Sequence, residues 1–273
     1  MRVKEAIAAG AKELKKIAQR PYFESELLLS HCFGIDRIDL HKDPERELPN
    51  YALKEFFSAI KRRSKGYPIE YITQRVSFYS LEFYIHEGVL IPRPETELLV
   101  EKALELPVER VAEIGVGSGA VSVALALNND KIRIVATDIS KKAVKLARKN
   151  VARYSLSKRI EIRECAFLDC VEEEIDLIVS NPPYIKRGVE LEKPVTFEPP
   201  EALFAGEEGD EIIKNIVSLA LDRGVAFLIC EIGYDQKESV EKHCRQLGLD
   251  PKFYKDYAGW YRGFVIDFKK ERG

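Results

Sequence analysis

Residues 110–129 read RVAEIGVGSGAVSVALALNN, and on them the fold turns. RVAEIG is an apolar run too short for a helix. GAVSVALALNN is long and apolar enough to be a buried one, and glycines at alternate positions join the two. Strand, glycine loop, helix is the opening unit of an α/β sheet. Downstream the pattern repeats. IRIVATD (132–138) predicts a second strand, SKKAVKLARKNVARYS (140–155) a helix, IEIRE (160–164) a third strand and IDLIVS (175–180) a fourth. After a proline-rich stretch, DEIIKNIVSLALDRG (210–224) predicts a helix, VAFLICEIG (225–233) a strand and QKESVEKHCRQLG (236–248) a helix. PKFYKDY and RGFVIDF then give two strands with no helix between them. The expectation is a doubly wound parallel sheet with helices on both faces and an antiparallel final strand.

Upstream the texture differs. AIAAGAKELKKIA, ESELLLSHCFG and YALKEFFSAIKRRSKG space apolar residues at three and four, with Gly34 and Gly66 as stops. From Tyr67 to Pro92 β-branched and aromatic residues dominate, which predicts a hairpin or short strands. ETELLVEKALEL (95–106) then starts an amphipathic helix. The expected organisation is a helical domain over 1–70, a β-hairpin linker over 71–91 and a catalytic domain over 92–273.

Composition excludes several classes. The 273 residues are 45% hydrophobic, enough for a sizeable core, and 32% charged, above the ~25% average. No apolar run reaches the ~18 residues that cross a bilayer. MRVKEAIAAGAKELKKIAQR has no apolar signal core. Five cysteines form no CxxC pair and the four histidines have no ligand spacing, so a metal site is not expected. An odd cysteine count and the lack of a leader predict a reducing, cytoplasmic setting without membrane contact. Net charge is −2 overall, but residues 1–75 hold 15 Lys and Arg against 11 Asp and Glu, and the remainder 28 against 34. An acidic catalytic region with no large insert argues against nucleic acid as substrate. Asn occurs only six times, which makes each one worth inspecting.

The loop Glu113-Ile114-Gly115-Val116-Gly117-Ser118-Gly119 is GxGxG with an acid two before the first glycine, not the GxGxxG of dinucleotide binders. Asp138, at the end of the second strand and 19 residues past Gly119, can accept both hydroxyls of a ribose. A carboxylate at Glu113 would disfavour phosphate and favour a cationic adenosine. S-adenosylmethionine fits, and the loop resembles motif I of class I (Rossmann-like) methyltransferases. IDLIVS runs into Asn181-Pro182-Pro183-Tyr184 at the carboxyl end of the fourth strand, where doubly wound sheets bind ligands. That corner suits an NH2 group whose lone pair is delocalised. The Asn181 oxygen and a backbone carbonyl near Pro182 would each accept one N–H and aim the lone pair at a methyl group. Tyr184 would offer a flat face to a planar amide or base. In-line transfer without a general base is the expectation.

Beyond the corner, the chain resembles the HemK-like glutamine methyltransferases that modify peptide-chain release factors. The resemblance rests on Ile91-Pro92-Arg93-Pro94-Glu95-Thr96-Glu97, Glu113 to Gly119, Asn181 to Ile185, Glu198-Pro199 with Ala202, Leu203 and Gly206, and Glu231-Ile232-Gly233 before Gln236. It implies cofactor contacts at Glu113, Gly115, Val116, Gly117, Ser118, Gly119, Asp138, Phe167 and Asn181. It implies that Asn181, Pro182, Pro183 and Tyr184 hold the target glutamine. It also implies that the N-terminal helices dock a release factor whose Gly-Gly-Gln loop enters the site, and that the products are N5-methylglutamine and S-adenosylhomocysteine. The nearest rival is a DNA or RNA amino-methyltransferase with the same corner. The basic run Lys61, Arg62, Arg63 and Lys65 reads as a solvated helix end or a docking patch; Arg93 reads as a cleft residue or a surface one. Glu95 and Glu97 favour a helix N-terminus.

Overall fold

The computed structural model describes residues 1–271. The chain forms two compact units: Met1–Arg75 together with Leu191–Phe197, and Val76–Glu190 together with the chain from Glu198 onward. In the first, α1 (Val3–Leu14), α2 (Pro21–Phe33), α3 (Arg37–Lys42), α4 (Asn50–Ser64) and α5 (Ile69–Thr73) surround a core of Leu14, Leu28, Leu29 and Phe56. Pro21 opens α2 at a position where no N–H is needed, and Gly34 closes it in the left-handed region with its N–H on the Ser30 carbonyl. At Gly10, α1 meets α2 and α4 closely. A Cβ there would lie 2.7 Å from Phe56 Cζ and 2.9 Å from Ile60 Cδ1, so only glycine fits.

Arg63, in the middle of the basic run, is buried rather than solvated. Its Nε and Nη2 donate to the Glu24 carboxylate at 2.6 and 3.2 Å, tying α4 to α2 in a largely buried pair. Arg63→Ala is expected to destabilise this unit by about 3 kcal/mol, because it strands a carboxylate, whereas Arg63→Met with Glu24→Leu should be near neutral. Denaturant unfolding of the two variants checks this.

The extended texture expected from Tyr67 starts later. Ile69–Thr73 is a helical turn, because Tyr71 and Ile72 are buried and tertiary burial outweighs the β preference of the Ile, Tyr and Thr in Ile-Glu-Tyr-Ile-Thr. Gln74, at φ 56°, ends it. The hairpin follows as β1 (Arg75–Phe78) and β2 (Leu81–Tyr84). Tyr79 and Ser80 both take positive φ, the type I′ geometry whose twist matches a two-residue hairpin.

The second unit continues with α6 (Glu97–Leu104), β3 (Arg110–Ile114), α7 (Ala120–Asn128), β4 (Arg133–Asp138), α8 (Lys141–Arg153), β5 (Ile160–Glu164) and β6 (Leu177–Ser180). A small parallel pair comes next, β7 (Ile185–Lys186) with β8 (Phe204–Gly206), inside the stretch the sequence left irregular. Then come α9 (Glu211–Asp222), β9 (Phe227–Glu231), α10 (Lys237–Gln246), β10 (Lys252–Lys255), β11 (Tyr261–Asp267) and α11 (Phe268–Glu271). The main sheet has seven strands in the order β10-β11-β9-β6-β3-β4-β5, and β11 runs antiparallel to both neighbours. The mixed α/β sheet is the doubly wound one expected.

Inner strands are buried on both faces, so they read as continuous apolar runs. Val111, Leu177, Val179 and Ile229 face α6, α7 and α8, while Ala112, Ile178, Leu228 and Cys230 face α9 and α10. From β3 the chain builds outward through β4 and β5, then crosses back to place β6 on the other side of β3. Ligands bind at the carboxyl ends of such a reversal. The register sets Ile114 beside Ser180 and Thr137, so the glycine loop, Asp138 and Asn181 leave adjacent strand ends. Among the described residues, no helix is long and apolar enough to cross a membrane.

Candidate active site

A cavity of about 320 Å³ opens at this reversal, within the size range of small-molecule sites. Of the residues named from sequence, Gly115, Gly117, Asp138, Phe167, Asn181, Pro182 and Pro183 line it. Val116, Ser118 and Gly119 do not; they shape the loop from behind. The Gly115 and Val116 amides both donate to the Thr137 carbonyl at 2.9 Å, and Gly119 starts α7 at φ 83° with Ala147 packed where a Cβ would go. Asn150, fully buried on α8, fastens the loop from below: its Nδ2 donates to the Ser118 and Tyr84 carbonyls and its Oδ1 accepts the Tyr84 N–H. Nothing in the sequence separated this Asn from the other five, because its partners lie 32 and 66 residues away.

Glu113 requires a correction. Alternation along β3 puts it on the α7 face with Val111, where the Ser122 hydroxyl donates to its carboxylate and solvent is absent. It does not line the cavity, and burial pushes its carboxyl up to about 8. A carboxyl raised this far gives stability that is fully present below its ordinary value of 4.5 and lost as pH rises through about 8. The thermal midpoint should fall across that window, and Glu113→Gln should flatten the slope in a pH series of melting curves.

The cavity's own chemistry carries what Glu113 was expected to supply. Its lining holds two carboxylates, Asp138 and Glu201, and no Lys, Arg or His. Burial raises the Asp138 carboxyl, and Glu201 nearby adds to the rise. Such a wall disfavours phosphate and favours a cation. Asp138 accepts the Gly117 N–H on Oδ2 and the Ser140 N–H on Oδ1, both at 2.9 Å. A carboxylate has about four acceptor sites, so two remain for a vicinal diol. The remaining surface is apolar: Ile139, Ala143, Ala166, Phe167, Pro199 and Ile212 form a slot fit for a purine. Phe167 takes φ 42°, rare for an aromatic residue, and its carbonyl accepts the Thr137 hydroxyl at 2.5 Å. Cys165 and Cys170 are joined in a disulfide that closes the loop carrying Phe167. The residues present fit an adenosine bearing positive charge.

At the corner, Asn181 Nδ2 donates to Thr96 Oγ1 at 2.9 Å, and Thr96 donates to Glu231 Oε2 at 2.7 Å. Tyr184 is not at the cavity wall; its hydroxyl donates to Glu231 Oε1 at 3.3 Å, and its backbone carbonyl accepts from Gln236 Nε2 at 2.9 Å. Burial and the Glu231 charge raise the Tyr184 phenol above its ordinary range. Arg93 is neither free nor in the cavity. It pairs with the buried Glu198 carboxylate at 2.5 Å, and the other Glu198 oxygen accepts the Ile91 N–H. Thr96, Glu198, Glu231 and Gln236 all sit in the stretches quoted for the resemblance, but their roles depend on contacts across 47 to 135 residues.

Family models for the PrmC N-terminal domain and the methyltransferase small domain match residues 5–73 and 93–198. Among solved structures, the hMettl16 catalytic domain superposes with a TM-score of 0.56 at 16% identity, covering 80% of each chain. A methyltransferase from Pyrococcus furiosus does so at 0.54 and 19%, covering 69% of this chain and 89% of that one. At such identities the likeness is one of fold. Sequence relatives are nearer. The release factor glutamine methyltransferase of Koribacter versatilis is 38% identical over 90% of this chain and 91% of its own. That of Moorella thermoacetica is 35% identical over 97% and 95%, and that of Aquifex aeolicus 33% over 91% and 92%. Identity of this order across both domains, on a cavity and corner built as described, shows that the chain belongs to the release factor glutamine methyltransferase family.

Proposed function

We propose that this protein methylates the side-chain amide nitrogen of a release-factor glutamine, consuming S-adenosylmethionine and giving N5-methylglutamine and S-adenosylhomocysteine. The observation that carries this reading is the state of Asn181. Its NH2 is held by Thr96, which leaves its oxygen as an acceptor beside a cavity suited to a cationic adenosine.

Each residue then has a task. Asp138 accepts the ribose hydroxyls, Phe167 and its apolar neighbours hold the adenine, and the Gly115 and Gly117 backbone admits the remainder of the cofactor. When bound, the cofactor supplies an electrophilic methyl group on a sulfonium. Asn181 Oδ1 and the Pro182 carbonyl each accept one N–H of the glutamine amide. Two acceptors at fixed positions pull the nitrogen lone pair out of conjugation and point it along one line. Pro182 and Pro183 have no N–H to compete for those carbonyls. As the N–C bond forms, one amide proton leaves through these acceptors to water, so neither a base of unusual strength nor a metal is part of the scheme. The helical unit is the docking element for the release factor, and the protein works in the cytoplasm without nucleic acid or membrane as substrate. The net acidity of residues 76–273 supports the exclusion of nucleic acid.

Incubation with methyl-labelled S-adenosylmethionine, purified release factors, and DNA and RNA in parallel tests this. Label should enter the release factors and not the nucleic acids; the opposite distribution would sink the reading.

A further inference from the structure

Thr96 stands immediately before α6, where a threonine hydroxyl ordinarily accepts a backbone N–H of the first helical turn. Here it makes no such cap bond. It is 3% exposed, donates to Glu231 and accepts from Asn181. Glu231 is 2% exposed, at the end of β9 on the face toward α6, and its two oxygens are divided between the hydroxyls of Thr96 and Tyr184. A buried carboxylate two hydrogen bonds away from Asn181 and one from Tyr184 is not needed to hold the sheet together. Burying it is unfavourable, so its contacts call for an explanation.

We infer that Glu231, acting through Thr96, sets which way round the Asn181 amide sits. This rests on the reading of Asn181 as the acceptor of a substrate N–H. An ionised carboxylate has no proton to give, so Thr96 must donate its only one to Glu231. The Thr96 oxygen is then solely an acceptor toward Asn181, and only the NH2 end of that amide can satisfy it. Oδ1 is thereby left toward the acceptor group. Were the polarity reversed, the cleft would present an NH2 to an NH2, and the acceptor nitrogen would be repelled instead of oriented. The same carboxylate takes the Tyr184 hydroxyl, so one buried charge fixes two side chains of the corner. Thr96 and Glu231 are positioning residues; neither lines the cavity.

Burial raises the Glu231 carboxyl; against it, the Thr96 and Tyr184 hydroxyls and then Arg262 on β11 stabilise the charged form, while Glu95, on the segment before α6, opposes it. Tyr254 on β10 also faces it, held protonated by burial; the Cys230 thiol, likewise held protonated by burial, lies on the opposite face of β9 and donates to the Glu231 backbone carbonyl. With burial pushing Glu231 up to about 7, acidification should cost turnover while the corner keeps its shape.

Shape and polarity can be separated at Thr96. Valine keeps the branched shape and loses the hydroxyl; serine keeps the hydroxyl and loses the methyl. The readout is kcat on whichever acceptor the wild-type protein labels, with cofactor affinity measured by calorimetry and folding by melting curves. Hence a failure of the release-factor assignment, visible already in the wild-type protein, is distinct from a failure here. Thr96→Ser should stay within about 3-fold of wild type. Thr96→Val should lose about 10- to 100-fold in kcat, the usual effect of removing a group that orients a reacting one, with cofactor affinity within about 3-fold. Should Thr96→Val fold poorly, the wild-type pH profile remains decisive: kcat should drop on the acid side of about 7 while cofactor affinity holds. Active Thr96→Val beside inactive Thr96→Ser, or a kcat flat through that range, overturns the inference.

Discussion

Asn181→Ala is expected to reduce kcat by at least ~10²-fold while cofactor affinity changes by less than about 5-fold. The loss follows from geometry. Asn181 Nδ2 is already bonded to Thr96, so what the truncation removes from the cleft is a single acceptor, Oδ1. Without it, the amide nitrogen keeps its lone pair delocalised into the π system of its own carbonyl and the amide group is no longer held in one orientation, and loss of orientation alone is worth about this much rate. Thr96 still donates to Glu231, so the corner should remain folded. Single-turnover kinetics with calorimetric titration of S-adenosylmethionine separate the two quantities. Unchanged turnover would mean that Asn181 does not orient the acceptor.

Asp138→Ala should have the opposite signature: cofactor affinity weaker by about 10- to 100-fold, the measure of one or two hydrogen bonds to a charged group. Two sources combine. The mutation removes the acceptors for the ribose, and it frees the Gly117 and Ser140 amides that the carboxylate holds at 2.9 Å. The second effect loosens the glycine loop itself, so the free protein pays a further ordering penalty on binding. At saturating cofactor, kcat should recover most of its value. An unaltered affinity by calorimetry would contradict the assignment.

What the sequence could reveal divides along physical lines. Strand–loop–helix periodicity is local, so the sheet, its order of helices and the antiparallel ending were legible, as was the NPPY corner on the fourth strand. Tyr67–Thr73 was misread because its β-rich composition was outweighed by burial of Tyr71 and Ile72 in a helical core. Glu113 was expected at the ligand, but its position along β3 sends it to Ser122, and the carboxylates that line the cavity are Asp138 and Glu201. Arg63 looked like part of a surface patch because its partner Glu24 lies 39 residues earlier. Thr96 was passed over between Glu95 and Glu97, which fitted a helix start. Its distinguishing partner is 135 residues away, and no spacing rule reaches so far.

In this mechanism the corner delivers an amide nitrogen to a methyl group. Its most direct test is the site of the product. After reaction with a purified release factor, peptide mapping by mass spectrometry should place one methyl on the side-chain nitrogen of the Gly-Gly-Gln glutamine with the wild-type protein, and essentially none with Asn181→Ala. A methyl found on another residue, or on that glutamine to an equal extent with both proteins, would contradict it.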